Sequence, residues 1–489
     1  VYTIGSLRRR LLIVNDSRAT LEAVLTSACR PSTRQKHPST HSRSKQACVT
    51  NPPTNRKAPM AKTVGGISAL VAAAAAACLM AAAPSALAAY DFQRDGASSV
   101  SFGGQTARLQ MADEIYDDMN SPDSTKELLM QKFNDGTGFT SDPSLDESGK
   151  NVGGKTASGC LYGENEEAIQ RLNAMIEDYA DNVVPNWEAE AADGSPGVLS
   201  DDARTINVNA KGWEVDQTFQ KALIGAFTLD QIANNYLDAC KLDSGTKTDD
   251  NTNGVTSEGD NYTGMEHAWD EAFGYLYGQE ADPTADLSTP SGDGTLLNKY
   301  LKKVSEGDVA PGIAKDVYEA FVAGRQAIVD GDYATRDAQA KIIKVDLSKV
   351  IGAMVVNYLE SYLAKREATP ADAVHALSEG YGFIFSLPFT NNGEGEPYFT
   401  QEEVSGFLDK MDNFWQIDEE TANAVIAEVN SRFGFSGSDE GAEEGAEEGG
   451  EDGGEEAAPA EEEPAAEEPA ELPDMPEVPD TPESANDDS

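Results

Sequence analysis

Residues 264–278 read GMEHAWDEAFGYLYG, a stretch with a glycine at each end and one histidine, His267. Thr263 precedes it and Glu266 follows Thr263 by three residues, a capping-box pattern that predicts a helix beginning at Gly264. Gly278 predicts the end of this helix in a left-handed turn. We therefore expect one well-defined helix between these two glycines.

The polar residues of this predicted helix form a candidate metal site. His267, Asp270 and Glu271 are three and four residues apart, so their side chains share one helical face. An imidazole with two carboxylates is a suitable ligand set for a divalent metal ion. The alternative is a structural role, because a histidine beside a carboxylate also occurs as a surface ion pair or as a satisfied core group.

A second histidine lies in a similar context. Residues 369–382 read TPADAVHALSEGYG, in which Thr369 and Pro370 predict a helix start. His375 follows within two turns, and Glu379 lies four residues beyond it. Helical bundles build sites from side chains on facing helices, so we predict one shared site containing both histidines and their carboxylates. Its ligand would be iron, zinc or another divalent cation.

Helical periodicity dominates the middle of the chain, residues 89–437. Apolar residues recur there at three- and four-residue intervals, which is typical of amphipathic helices with a buried stripe. Further helices are predicted at about 105–119, 162–182, 400–411 and 418–432. No alternating run of β-branched residues is long enough to predict a sheet, the nearest being residues 99–102. We predict an all-α fold, a helical bundle with two packed halves.

The two ends of the chain differ from this middle part in composition. Residues 1–59 are basic and rich in Ser and Thr, which indicates an upstream or transit-like segment outside the fold. Residues 60–88 have a lysine, an apolar run and an Ala-Leu-Ala cleavage pattern, the order of a signal peptide. Residues 438–489 have no aromatic residue, Lys or Arg and predict a disordered acidic tail. The protein is therefore expected to be exported to the periplasm or cell surface, or alternatively to an organelle lumen.

The net charge of the chain limits the kinds of molecule that it can bind. The chain has 37 Lys and Arg against 85 Asp and Glu, a formal net charge of −48 at pH 7. Such a charge repels nucleic acid and anionic membranes and attracts cations. Nucleic acid is therefore excluded as a partner, and a metal ion is favoured.

Two cysteines, Cys160 and Cys240, follow the predicted signal peptide. The oxidising surroundings of an exported protein permit them to form a disulfide. Two buried free thiols are the alternative. Neither cysteine belongs to a Cys-x-x-Cys pair, so redox catalysis is not indicated.

A second metal candidate is the acidic stretch from Asp249 to Asp260. Asp249, Asn251 and Asn253 fit positions 1, 3 and 5 of an EF-hand loop, with Gly254 at position 6 and Asp260 at position 12. Calcium is the metal expected there, and an ordinary polar turn is the alternative. The chain has no His-Glu-x-x-His, Gly-x-Ser-x-Gly or Walker motif, which disfavours zincin, serine-hydrolase and nucleotide chemistry.

Five separated segments occur in the order found in a known family. They are SVSFGGQTARLQMADEI, WEVDQTFQKALIGAFTLDQIANNYL, YTGMEHAWDEAFGYLYG, FVAGRQAIVDGDYATRDAQAKIIK and HALSEGYGFIFSL. In this order they resemble the bacterial exported family catalogued as domain of unknown function 4856, over nearly the whole predicted domain. That family is similar in turn to the imelysin-like proteins, helical-bundle periplasmic or outer-membrane proteins associated with iron uptake and once classed as metallopeptidases.

The imelysin signature Gly-x-His-x-x-Glu matches this chain with two departures. One extra residue separates Gly264 from His267, and Asp270 stands where the signature has Glu. The resemblance implies capture of iron or another divalent cation, with outer-membrane or cell-surface uptake components as partners. The alternatives are a metal-dependent hydrolase or peptidase that uses the same residues, and a structural surface protein without a metal.

Overall fold

The computed structural model of the chain describes residues 89–292 and 294–435. The predicted leader, residues 1–88, and the predicted acidic tail, residues 438–489, lie outside these ranges. Export, signal cleavage and disorder of the tail therefore stay predictions.

Fourteen α-helices carry the fold in the described part of the chain, and the all-α prediction is confirmed. They are α1 (Gly103–Asp118), α2 (Lys126–Met130), α3 (Ser144–Glu147), α4 (Glu166–Asp178), α5 (Val215–Leu223), α6 (Ala239–Leu242), α7 (Lys247–Thr252), α8 (Gly264–Tyr277), α9 (Leu297–Ser305), α10 (Ile313–Asp330), α11 (Tyr333–Lys365), α12 (Pro370–Ser386), α13 (Gln401–Lys410) and α14 (Glu419–Phe433). The four helices predicted by position correspond to α1, α4, α13 and α14. None of the helices in the described ranges combines the length and hydropathy of a membrane span.

Two short antiparallel hairpins accompany the helices and were not predicted. They pair β1 (Gln93–Arg94) with β2 (Ala97–Ser98), and β3 (Gly197–Ser200) with β4 (Thr205–Val208). Strands of two and four residues are too short to produce a recognisable alternation of apolar and polar residues. The stretch 99–102, the nearest candidate for a strand, instead leads from the first hairpin into α1.

One continuous hydrophobic core joins the helices. The 33-residue helix α11 packs along α10, α12 and α14, and α12 packs in turn against α5. Buried side chains from these helices belong to a single cluster, and the division of the bundle into two packed halves stays a prediction.

The segment that begins with α5 is buried along almost its whole length. It continues beyond Leu223 through two widened turns of π type, Ile224–Leu229 and Ile232–Tyr236. Gly225 permits the close approach of α12 here, because a Cβ at this position would lie 2.2 Å from the Cβ of Ser386. The second widened turn ends at Tyr236, a residue of the candidate site described below.

The helix that the sequence placed at residues 264–278 is α8. Thr263 and Glu266 form the predicted capping box, with the Glu266 carboxylate accepting from the Thr263 N–H at 2.7 Å. The predicted left-handed end is wrong, because Gly278 has a φ of −64°.

The helix α12 begins at Pro370 as predicted, but its cap is different. The side chain of Thr369 makes no capping hydrogen bond. Instead Asp201, in the turn between β3 and β4, accepts from the N–H groups of Ala371 at 2.7 Å and Asp372 at 3.3 Å. A residue distant in sequence therefore caps this helix.

Candidate functional site

Glu271 on α8 stands at the centre of a polar region where several elements meet. The Nε2 atom of His267, one turn earlier, lies 3.9 Å from Glu271 Oε1. Gln105 on α1 donates from its Nε2 to the same oxygen at 2.8 Å. The predicted pairing of His267 with Glu271 is therefore present.

Three lysines reach this region from separate segments. Lys155 ends the turn Gly153–Lys155, Lys241 lies on α6 and Lys247 begins α7. The Nζ atoms of Lys155 and Lys241 lie 5.7 and 5.2 Å from the ring centre of Tyr236. Lys247 Nζ donates to the carbonyl oxygen of Lys241 at 2.7 Å. The three ammonium groups are thus gathered around one aromatic ring and one short backbone segment.

Positive charge is in excess at this place. Burial lowers the pKa of Lys155, and the nearby charges of Arg108 and Lys241 lower it further, while Glu271 opposes them. Burial and Lys241 likewise lower the pKa of Lys247, while Glu271 and Asp243 oppose them. The cations outnumber these carboxylates, and we call Arg108, Lys155, Lys241 and Lys247 the cationic cluster.

Two buried polar atoms beside the cationic cluster have no hydrogen-bond partner in the described part of the protein. They are the hydroxyl of Tyr275, a residue 1% exposed, and Nδ1 of His267. Burial raises the pKa of Tyr275, with Arg108 lowering it and Glu271 raising it, so the hydroxyl lies near both charges. An unpaired buried polar group costs about 1–3 kcal/mol, which a bound molecule with a matching group would offset.

A disulfide links two of the segments that carry these lysines. Cys160 and Cys240 are bridged, with their Cα atoms 6.1 Å apart and their positions 80 residues apart in sequence. Cys240 directly precedes Lys241, and Cys160 follows Lys155 by five residues. Of the two alternatives for these cysteines, the structure has the bridge, and it holds both lysine-bearing segments together.

Asp270, predicted as a metal ligand, belongs to a different network. Its Oδ1 accepts from the Tyr90 hydroxyl at 2.7 Å and from Arg325 Nε at 2.9 Å. Burial raises the pKa of Asp270 to about 6 although Arg325 acts to lower it. Arg325 also contacts Glu266 at 3.0 Å. Asp270 thus pairs with a buried arginine and not with His267.

His375 lies in a second polar cluster, between α5 and α12. Its Nδ1 is 2.6 Å from Glu214 Oε2, and its Nε2 is 3.4 Å from Glu379 Oε2. The other oxygen of Glu379 pairs with the buried Lys221 at 3.0 Å. Each histidine thus contacts the carboxylate four residues later, as the spacing predicted.

These contacts do not join the two histidines. The partners of His375 are on α5 and α12, whereas those of His267 are Glu271 and the ring of Tyr262, stacked at 4.5 Å. Within residues 89–292 and 294–435, no group of three or more His, Cys, Asp or Glu side chains is arranged to hold a metal ion. Binding of iron or zinc by these residues stays a prediction.

The stretch predicted as a calcium loop has another conformation. The helix α7 covers Lys247–Thr252, so the first four residues of the supposed loop are helical. Asn251 donates to the carbonyl oxygen of Ile328 at 2.8 Å, and Asn253 to that of Asp249 at 2.7 Å. The predicted EF-hand geometry is wrong, because a helix cannot turn these side chains inward around one ion. Calcium binding by this stretch stays a prediction, but it would not use the EF-hand geometry.

Comparison with known proteins identifies the family. The family described as a domain of unknown function, DUF4856, matches residues 87–436. The chain belongs to this family. The match includes every residue of both polar clusters, and the similarity to imelysin-like proteins stays a resemblance. No curated protein and no solved structure matches the chain.

The lysines of this DUF4856 domain were not predicted as site residues. Isolated lysines in an acidic chain are typical of solvated surface, and nothing local distinguishes Lys155 from others. The one local signal was the position of Lys241 directly after Cys240, together with Lys247 nearby. Their convergence depends on the disulfide and on the packing of α1, α6, α7 and α8, which spacing along the chain does not reveal.

Proposed function

We propose that this DUF4856 domain is a binding protein that captures a small anion, a carboxylate or a phosphate, at the cationic cluster. The observation that supports this function is the excess of positive charge around Glu271 in a chain whose formal net charge is −48. An anion with several oxygens would gain charge-assisted hydrogen bonds from lysine and arginine. If the chain is exported as predicted, capture would take place outside the cytoplasm.

The cationic surroundings favour an anion over a bare metal ion next to His267. A divalent cation there would be repelled by Lys155, Lys247 and Arg108. Two unit charges 4 Å apart interact by about 4 kcal/mol at an effective dielectric constant of about 20, so several such repulsions would offset the attraction of Glu271. An anion reverses the sign of each of these interactions.

The Tyr275 hydroxyl lacks an acceptor for its proton among the described residues, and this favours a ligand-binding site over a purely structural cluster. It is a donor without a protein acceptor in the described ranges, and an anionic oxygen is the partner it lacks. Burial, together with the charge of Lys241, lowers the pKa of both Lys155 and Lys247, which is destabilising unless something compensates the charges. A bound anion would supply the acceptor and the compensating charge together.

Isothermal titration calorimetry of the oxidised protein with citrate and with inorganic phosphate at low ionic strength tests the proposal. We expect Lys155→Gln and Lys241→Gln each to weaken binding by roughly tenfold, equivalent to about 1.4 kcal/mol. Higher salt should weaken it as well, because half-exposed charges are screened. The control is Lys315→Gln, which removes a lysine of an exposed ion pair on α10 and should bind as wild type does.

Titration with Zn(II) and Fe(II) separates this proposal from the metal prediction. If both anions fail to bind while Zn(II) or Fe(II) binds with an affinity that His267→Ala abolishes, anion capture is wrong and the metal site predicted from sequence is supported. Anion binding that is unchanged in both lysine variants would also contradict the proposal.

A further inference from the structure

A cavity of about 340 Å³ lies apart from the cationic cluster, between α4, the segment following β4, and α12. Trp213, Tyr381 and Phe385 provide its aromatic wall, and the ring centres of Trp213 and Tyr381 are 4.7 Å apart. Its volume is within the range of about 300–1,000 Å³ typical of small-molecule sites. The cavity can therefore hold one compact ligand, with an apolar face of the ligand against the aromatic wall.

The mouth of this cavity is polar and balanced in charge. Arg171 and Lys211 are its cations, and Asp178 and Asp412 its carboxylates. Lys211 Nζ pairs with Asp412 at 2.7 Å, and Asp178 accepts from Asn209 at 2.6 Å. Two charges of each sign favour a neutral ligand that carries both donors and acceptors, and they disfavour an ion or a hydrocarbon chain.

Tyr381 brings a polar group, its hydroxyl, to the aromatic wall of the cavity. Tyr381 is 2% exposed as a whole residue and lines the cavity. Its hydroxyl is not among the fully buried atoms of the described ranges that lack a hydrogen-bond partner. Burial raises its pKa, Asp412 raises it further and Arg171 lowers it, so these mouth residues lie near the ring. Because Tyr381 lines the cavity, its hydroxyl can donate a hydrogen bond to a molecule bound there and accept one from it.

We infer that this cavity binds a neutral sugar, of one or two rings. The C–H face of a sugar ring carries partial positive charge and packs on the negative face of an aromatic ring. Its hydroxyl groups both donate and accept, which matches carboxylates, cations and the Tyr381 hydroxyl placed side by side. An apolar ligand would displace water from the charged groups at the mouth without offering them a hydrogen bond in return.

Calorimetric titration with glucose, galactose, N-acetylglucosamine and maltose tests this inference, with intrinsic tryptophan fluorescence as a second readout because Trp213 lines the cavity. We expect at least one of these sugars to bind and to change the fluorescence. Tyr381→Phe should weaken its binding by roughly tenfold by removing one hydrogen bond at constant ring volume. Asp412→Asn, at the mouth and away from the core, should also weaken it several-fold.

The control is Tyr162→Phe, which removes the hydroxyl of a tyrosine that is 41% exposed and outside the cavity, and it should bind as wild type does. Melting curves followed by circular dichroism verify that each variant is folded. The inference is overturned if none of the four sugars binds at millimolar concentration. It is overturned as well if Tyr381→Phe and Asp412→Asn both bind like wild type, or if indole, which has no hydroxyl, competes as well as the best sugar.

Discussion

Arg325 is a fully buried cation that two carboxylates of α8 compensate. It contacts Asp270 at 2.9 Å and Glu266 at 3.0 Å, and it also donates to the Ser99 carbonyl oxygen at 3.3 Å. All three charged side chains are at most 1% exposed. Desolvation makes such a network expensive to break on one side, because the remaining charges stay buried without a partner.

We expect Arg325→Ala to lower the free energy of unfolding by about 3–5 kcal/mol, since it leaves the Asp270 carboxylate buried without a cation and Glu266 with Arg94 alone. Urea unfolding measures the change. Arg94→Ala is the matched comparison, because Arg94 pairs with the same Glu266 but is 28% exposed, and its loss should be clearly smaller. Equal losses in the two variants would contradict the assignment of the network to Arg325.

Asp216, at the start of α5, is a buried carboxyl group that favours its protonated form in the folded protein. Burial and the neighbouring Glu214 together raise its pKa to about 8, against the opposing charge of Lys221. The folded state therefore binds a proton more tightly than the unfolded chain does. The stability from this group is fully present below about pH 4 and is lost as the pH rises through about 8.

We expect Asp216→Asn to increase the free energy of unfolding at pH 9 by at least about 1 kcal/mol, because the amide cannot ionise. The variant should also lose less stability than wild type between pH 6 and pH 9. Denaturant unfolding at several pH values tests this. Asp308→Asn, at an exposed position, is the control and should keep the pH dependence of wild type. A parallel pH profile for Asp216→Asn and wild type would show that this carboxyl is already ionised.

At the scale of elements, α12 depends on a cap from another part of the chain. Asp201 satisfies N–H groups in its first turn that Thr369 leaves unpaired. We expect Asp201→Ala to cost about 1 kcal/mol of stability, the usual effect of losing a helix cap. Thermal melting measures this, with Asp202→Ala as the control at the exposed neighbouring position. If Asp202→Ala lowers the melting temperature as much as Asp201→Ala does, the loss comes from the turn between β3 and β4 and not from the helix cap.

Element starts with a local signal were predictable from sequence. The capping box at Thr263 and the proline at position 370 both mark observed helix starts, because such signals act over three or four residues. The pairing of His267 with Glu271 was predictable for the same reason. The Asp201 cap, the pairing of Asp270 with Arg325 and the gathering of the lysines were not, because each joins residues that only tertiary packing brings together.

At the scale of the whole molecule, the disulfide is the covalent link between distant segments. Closing a loop of 80 residues removes conformational freedom from the unfolded chain, which in the chain-entropy treatment corresponds to about 4 kcal/mol. We expect reduction, or the double change Cys160→Ser with Cys240→Ser, to lower the melting temperature markedly. Thiol counting on denatured, unreduced protein should find none from this pair. Two free thiols in protein from oxidising surroundings would contradict the bridge.

The same bridge affects the proposed anion site. Lys155 and Lys241 repel each other and are held near one ring by segments that Cys160 and Cys240 join. We expect the reduced protein to bind citrate or phosphate more weakly than the oxidised protein, even at a temperature where both are folded. Calorimetry of the two forms measures the difference. The control is the binding of a sugar at the Trp213 cavity, which should not change on reduction.

If anion binding depends on the disulfide, the protein gains its affinity for anions only once the disulfide has formed. If the chain is exported as predicted, a newly made copy in a reducing compartment would lack the covalent link between its two lysine-bearing segments, and we expect it to bind the anions there more weakly. Delivery to oxidising surroundings, as the leader predicts, would close the bridge and create the affinity at the place of use. Such a chain would need no inhibitor and no separate activation step, because formation of the disulfide in the oxidising compartment would itself produce the binding-competent form.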